Sequence, residues 1–80
     1  MTITLKYFGL IADITNTNEE LFSFDKSDFT THDLINQLHE KYTGLQHVSF
    51  AIAVNKSIRT ETLNLNNNDT IALLPPFAGG

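Results

Sequence analysis

One strong helix pattern stands between two groups of strand-like segments, and this order constrains the fold more than any other feature of the chain. Thr30 is a favourable N-cap residue, and Asp33 follows three residues later as a short version of the capping-box acid. Phe29 and Leu34 have the spacing of a hydrophobic staple. The apolar stripe then runs through Leu34, Ile35, Leu38 and Tyr42. Gly44 is predicted to end this helix.

The remaining pattern predicts five strands, at residues 2–8, 20–25, 50–54, 58–60 and 70–74. In the first strand Ile3, Leu5 and Tyr7 alternate toward the core, which leaves Phe8 on the polar face. The apolar run 50–54 is typical of a central strand buried on both sides. We expect the first two strands to form a hairpin and the last strand to return beside the first. The predicted fold is an α+β roll with a mixed sheet and one main crossing helix, in a single domain over residues 1–75.

Composition excludes several classes of function. The 80 residues carry 9 acidic and 5 basic side chains, a formal net charge of −4, and the basic ones are scattered. A nucleic-acid interface needs a basic footprint, so none is expected. No run is long enough to cross a membrane, and no leader pattern precedes the first strand. The absence of cysteine fits a reducing compartment, and the expected location is the cytoplasm.

The interior of the chain contains no pattern that indicates catalysis or cofactor binding. His32 and His39 lie seven residues apart on the predicted helix, too far to share a metal ion, and both fall off the apolar stripe. His47 stands alone in a predicted loop. Gly-rich phosphate-binding loops are also missing. The chain is therefore expected to bind neither metal nor cofactor, to bind no ATP by itself, and to catalyse nothing alone.

The carboxyl-terminal run is the unusual chemical feature. No charged residue follows Asp69, and residues 76–80, Pro-Phe-Ala-Gly-Gly, are predicted to form a flexible tail. Gly79 and Gly80 lack side chains, so a terminal carboxylate could enter a channel as narrow as a backbone. A carboxylate reacts only after activation, for example as an acyl-adenylate made by a separate ATP-using enzyme. A sulfur nucleophile would then give a thiocarboxylate, and an amine an isopeptide; a frayed, unreactive end is the alternative.

Three groups of residues carry a resemblance to a known family: Phe8-Gly9, Ala53-Val54-Asn55, and residues 68–80 with their diproline and Gly-Gly. Together with the order of elements they resemble the small, sulfur-carrying subunits of molybdopterin synthase, which have the ubiquitin-like β-grasp fold. The resemblance implies that an E1-like enzyme adenylates Gly80 with ATP and that a sulfur donor converts it to a thiocarboxylate.

The resemblance also implies where the sulfur goes. The tail, Pro76, Phe77, Ala78 and Gly79, would insert into the large catalytic subunit, where the Gly80 thiocarboxylate would give sulfur to cyclic pyranopterin monophosphate. The implied assembly is a heterotetramer.

The implied partner interface comprises Phe8, Leu74 and Pro75, although the facing of Leu74 is open from sequence alone. Two departures from the family pattern concern turns. Asn67-Asn68-Asp69 replaces a glycine-containing turn, and the glycine that often ends the short helix 10–14 is missing near Thr15 and Asn16. The alternatives left open are a sulfur carrier for thiamine or tRNA thiolation, and a ubiquitin-like protein modifier.

Overall fold

The structure contains strands that come before and after one long helix in the chain, as the sequence predicts. The computed structural model describes residues 1–25 and 27–76. In chain order the elements are β1 (Thr2–Tyr7), α1 (Leu10–Thr15), β2 (Glu19–Ser23), α2 (Thr31–Lys41), a 3-10 helix (Thr43–His47), β3 (Ala51–Val54), β4 (Ser57–Arg59) and β5 (Thr70–Leu74).

The five strands form one mixed sheet in the order β2-β1-β5-β3-β4. β1 pairs antiparallel with β2 and parallel with β5, which confirms the predicted hairpin and the predicted return of the last strand beside the first. β3 pairs antiparallel with both β5 and β4. The first and last strands therefore occupy the middle of the sheet, and the carboxyl end of β5 lies next to the end of β1.

The prediction that residues 50–54 form a central strand buried on both sides is wrong. The central strand is β5, and of these five residues only Ala53 is buried. The register explains the apolar run differently. Ile52 pairs with Leu73 and packs on the core, whereas Ala51 pairs with Leu74 on the opposite face. The run is apolar because its alternate residues serve two different surfaces.

Helix α2 begins as predicted. Thr30 Oγ1 accepts a hydrogen bond from the Asp33 backbone N–H at 3.2 Å, and Asp33 Oδ2 accepts one from the Thr30 N–H at 3.0 Å. The helix ends at Lys41, before the predicted stop at Gly44, and the chain continues as the 3-10 helix. Gly44 instead serves packing, because a Cβ there would lie 3.0 Å from Cγ2 of Ile14 in α1.

The core lies between α2 and one face of the sheet. Ile3, Leu5 and Tyr7 are buried as predicted, and they are joined by Ile11, Phe29, Leu34, Leu38, Leu45, Leu65, Ile71 and Leu73. The opposite sheet face, here called the open face, carries the alternate residues of each strand. Exposed apolar side chains lie on it, among them Phe8 and Leu21.

A polar cluster around Glu20 ties β2 to β1 and to the end of α2. The hydroxyl groups of Tyr7 and Tyr42 both donate to Glu20 Oε1, the latter at 2.9 Å, and Lys41 Nζ lies 2.9 Å from Oε2. Partial burial raises the pKa of the Glu20 carboxyl. The hydrogen bonds from Tyr7, Lys41 and Tyr42 outweigh that effect, so the net shift of this pKa is downward. The ionised carboxylate is therefore the form that the folded protein prefers.

This preference makes stability depend on pH. Because the folded pKa of Glu20 lies below the unfolded one, the carboxylate stabilises the fold above about pH 4.3 and this contribution is lost as pH falls further. We expect Glu20→Gln to lower the free energy of unfolding by about 1.5 to 3 kcal/mol at neutral pH. The difference in the free energy of unfolding between Glu20→Gln and wild type, measured by urea titration, should become smaller between about pH 5 and pH 3.

The control is Glu19→Gln, a change at the exposed neighbouring residue of the same strand. It removes the same charge and should change the free energy of unfolding little, both at neutral pH and at about pH 3. A difference between Glu20→Gln and wild type that stays constant down to pH 3 would contradict the assignment of the ionised carboxylate as the stabilising form.

Candidate functional site: the base of the tail

The three predicted interface residues lie together at one end of the sheet, where the neighbouring interior strands β1 and β5 finish. The Phe8 backbone N–H donates to the Leu73 carbonyl at 3.3 Å, and the parallel register pairs Tyr7 with Leu73. Phe8 and Leu74 each follow one member of that pair, so both face the open side of the sheet. Phe8 is 45% exposed, and Leu74 and Pro75 are partly exposed. The facing of Leu74, open from sequence, is thereby settled.

The apolar surface extends beyond the residues found from sequence. Ala51 pairs with Leu74, and Ala53 lies between Ala72 and Ile58. Ile58 is 49% exposed on the open face of the short strand β4. We call the set Phe8, Ala51, Ile58, Ala72 and Leu74 the open-face patch.

Ile58 was missed because its facing depends on the pairing of β4 with β3, which no local pattern specifies. The only signal in the sequence is that Ile58 is the one apolar residue of its strand. Phe8 and Ile58 are exposed and the other three side chains of the open-face patch are partly exposed. A contiguous apolar surface of this kind is typical of an interaction site.

The tail begins where this patch ends. Pro75 directly follows β5, and the exposed Pro76 is the last residue that the structure describes. Phe77, Ala78, Gly79 and Gly80 lie outside the described residues, so tail insertion and the reactive Gly80 carboxylate stay predictions from sequence. What the structure contributes is the point of departure, at the carboxyl end of the central strand and beside Phe8.

The sequence of residues 5–80 matches the family described as the ThiS family. This chain belongs to the ThiS family. The match includes β5, the diproline and the Gly-Gly end, and it leaves out only the first four residues.

Solved structures of other proteins share the fold over nearly the whole chain. One is from the protein–protein complex of subunits 1 and 2 of molybdopterin-converting factor from Helicobacter pylori, 28% identical with a TM-score of 0.70, covering 100% of both chains. A protein provisionally assigned as molybdopterin converting factor subunit 1 from Pyrococcus furiosus is 18% identical, with a TM-score of 0.86, covering 96% of this chain and 99% of that one. Small archaeal modifier protein 1 from Haloferax volcanii is 19% identical, with a TM-score of 0.81, covering 95% and 98%.

These likenesses confirm the predicted β-grasp, ubiquitin-like fold. Together with the family match they place the chain in the class of small β-grasp proteins that contains sulfur carriers and ubiquitin-like modifiers.

Asparagine occupies both turns at which the resemblance leads us to expect glycine. Asn16 ends α1 in the left-handed region, with φ 61° and ψ 29°, and its N–H donates to the Ala12 carbonyl. Asn68 has φ 73° in the turn before β5. Asparagine is among the few residues that adopt these angles readily, so the loop geometry needs no glycine at either position.

The three histidines differ in their exposure. His32 and His47 are exposed, whereas His39 is half-buried with its ring edge-on to Phe50, 6.2 Å between ring centroids. The predicted surface position is therefore right for His32 and only partly right for His39.

Within residues 1–25 and 27–76, no three His, Asp or Glu side chains lie close enough to hold a metal ion. Over the same residues, no helix is long and apolar enough to span a bilayer.

Proposed function

We propose that this protein is the sulfur carrier of molybdenum cofactor biosynthesis, in which a Gly80 thiocarboxylate gives its sulfur to cyclic pyranopterin monophosphate inside molybdopterin synthase. The observation that carries the proposal is the open-face patch at the base of a Pro-Pro-Phe-Ala-Gly-Gly tail. It is supported by membership of the ThiS family and by the full-length likeness to a chain of the Helicobacter pylori complex.

The chemistry begins on a partner enzyme. An E1-like enzyme binds ATP. The Gly80 carboxylate attacks the α-phosphorus of this ATP, which gives the acyl-adenylate and releases pyrophosphate. A hydrosulfide equivalent from the sulfur donor then attacks the acyl carbon and displaces AMP, which leaves the thiocarboxylate. This chain supplies the carboxylate and the access to it, and it binds neither ATP nor another cofactor itself.

The second stage takes place on the large subunit. The open-face patch docks on that subunit, and Pro76, Phe77, Ala78 and Gly79 thread toward its active site. The two prolines limit the conformations of the approach, so less entropy is lost when the tail is bound. The thiocarboxylate sulfur bonds to a carbon of the pterin substrate, and water then cleaves the resulting thioester, which leaves the sulfur on the pterin and returns Gly80 to the carboxylate. The carrier is then reloaded in the cytoplasm. The full assembly is a heterotetramer.

The test is reconstitution in two stages. Incubation with an E1-like enzyme, ATP and a sulfur donor should raise the intact mass by one exchange of oxygen for sulfur, and omission of ATP should prevent it. The loaded carrier, mixed with large subunit and cyclic pyranopterin monophosphate, should then form molybdopterin. No mass change under conditions that load a known carrier would contradict the proposal at its first stage.

The same experiment separates the alternatives. A carrier that is loaded but gives no pterin product, and that co-purifies with a thiazole synthase, would be assigned to thiamine synthesis. Co-purification with a tRNA-thiolating enzyme would instead assign it to tRNA thiolation. Lysine-linked conjugates in cell extract that disappear when Gly80 is deleted would assign the chain as a protein modifier.

A further inference from the structure

Gly9 lies between the end of β1 and the start of α1, in a backbone conformation that residues with side chains rarely adopt. Its angles are φ 56° and ψ −131°. The flanking turn holds this conformation in place, because the Ile11 N–H donates to the Phe8 carbonyl at 3.1 Å and the Asp13 N–H donates to the Gly9 carbonyl at 3.2 Å. A side chain at this position would be strained even in empty space.

The space that a side chain of residue 9 would need is also occupied, by the ring of Pro75. A Cβ on Gly9 would lie 3.0 Å from Cγ and 3.7 Å from Cδ of Pro75. Carbon atoms in ordinary contact are about 3.5 to 4.0 Å apart, so the first of these distances is too short. A proline ring cannot rotate away as an open side chain does. Relief would therefore have to come from displacing the backbone at Pro75.

We propose that Gly9 is a positioning residue for the tail, because the absence of a side chain there leaves room for the Pro75 ring and so sets the direction in which the chain leaves the sheet at Pro76. The geometric part stands on the contact between Gly9 and Pro75. Its consequence for sulfur transfer rests on the proposed function.

The expected consequence is a slower transfer step. A misplacement of about 1 Å near reacting groups can lower a rate by about 100-fold. Gly9→Ala should lower the single-turnover rate of sulfur transfer from the loaded carrier by about 10- to 100-fold. The dissociation constant of the complex with the large subunit should change much less, since the side chains of the open-face patch are all kept.

Gly44→Ala is the matched control. A Cβ at Gly44 would also meet a carbon at 3.0 Å, but that carbon is Cγ2 of Ile14 in α1. This variant should lower the unfolding midpoint without slowing sulfur transfer. If Gly9→Ala likewise changes only the midpoint, the positioning role is overturned.

A double-mutant cycle with Pro75→Ala isolates the ring contact. That change removes Cγ and Cδ and keeps the Pro75 Cβ, which would lie 4.0 Å from a Cβ on Gly9. The fold-loss in the single-turnover rate caused by Gly9→Ala should therefore be at least about five times smaller in the Pro75→Ala background than in wild type. An equal loss in both backgrounds would show that the ring contact is not the cause and would overturn the inference.

Nuclear magnetic resonance of the unloaded carrier tests the geometry without any activity. Wild type should show a nuclear Overhauser effect between the Gly9 Hα and Pro75 Hγ protons, and its absence would overturn the inference even if Gly9→Ala does not fold. In folded Gly9→Ala the Pro75 signals should shift, whereas in Gly44→Ala they should not. If the wild-type carrier gives no sulfur to the pterin while the Pro75 signals still shift in Gly9→Ala, the proposed function is refuted and the geometric part of the inference stands.

Discussion

Gly79→Val is expected to lower molybdopterin formation by at least about 100-fold and to leave the unfolding midpoint of the domain unchanged. A β-branched side chain widens the tip of the tail and restricts its backbone, so the tip would no longer fit a channel shaped for bare backbone. The buried side chains of the core lie between Ile3 and Leu73 in the sequence, and a change at residue 79 alters none of those side chains. The measurement is product formation by the reconstituted synthase, with thermal unfolding of the carrier alone.

Gly79→Ala is the graded control, because it adds one methyl group without branching and should retain more activity than Gly79→Val. ATP–pyrophosphate exchange on the E1-like enzyme shows whether the block falls at activation or at transfer. Wild-type product formation by Gly79→Val would contradict the narrow-channel mechanism, whatever the effect on exchange.

The second large effect is expected at the base of the tail. Phe8→Asp should weaken the complex with the large subunit by about 2 to 4 kcal/mol, or about 30- to 1,000-fold in the dissociation constant. The change places a charge at an aromatic anchor of the open-face patch. Because Phe8 is 45% exposed in the isolated protein, its loss should cost the monomer much less stability than it costs the complex. Titration calorimetry and thermal unfolding measure the two quantities separately.

Leu21→Asp is the matched control for this prediction. Leu21 is 71% exposed on the same face and pairs with Thr4, which lies four residues before Phe8, about 13 Å along the strand. It lies on the edge strand β2, away from the tail, so its replacement should barely change the affinity. Equal weakening by both variants would indicate general repulsion rather than a docking site. Unfolding of the Phe8→Asp monomer would show that Phe8 is a core residue.

Local patterns predicted the parts of the fold that local interactions determine. The alternation of β1 and the capping box of Thr30 and Asp33 each involve residues within one element, and both are as predicted. The errors arose where distant segments decide. The apolar run at residues 50–54 could not reveal that β5 would take the central position, and Gly44 could not show that it packs against Ile14.

The candidate site divides in the same way. The diproline and Gly-Gly are contiguous in sequence and indicate a reactive tail without a structure. Ile58 belongs to the open-face patch only through the register of β4 on β3, and Gly9 meets Pro75 only because the sheet places β1 beside β5. The sequence does not indicate the structural role of Glu20, because its partners Tyr7 and Tyr42 are 13 and 22 residues away.

The central place of β5 has a mechanical consequence. When a partner pulls on the end of the chain, the force runs lengthwise along a strand that is hydrogen-bonded to β1 on one side and β3 on the other. Both ladders lie across the direction of pull, so they are loaded in shear and their bonds share the load instead of breaking one after another. The domain can therefore withstand traction on its tip that would peel away an edge strand.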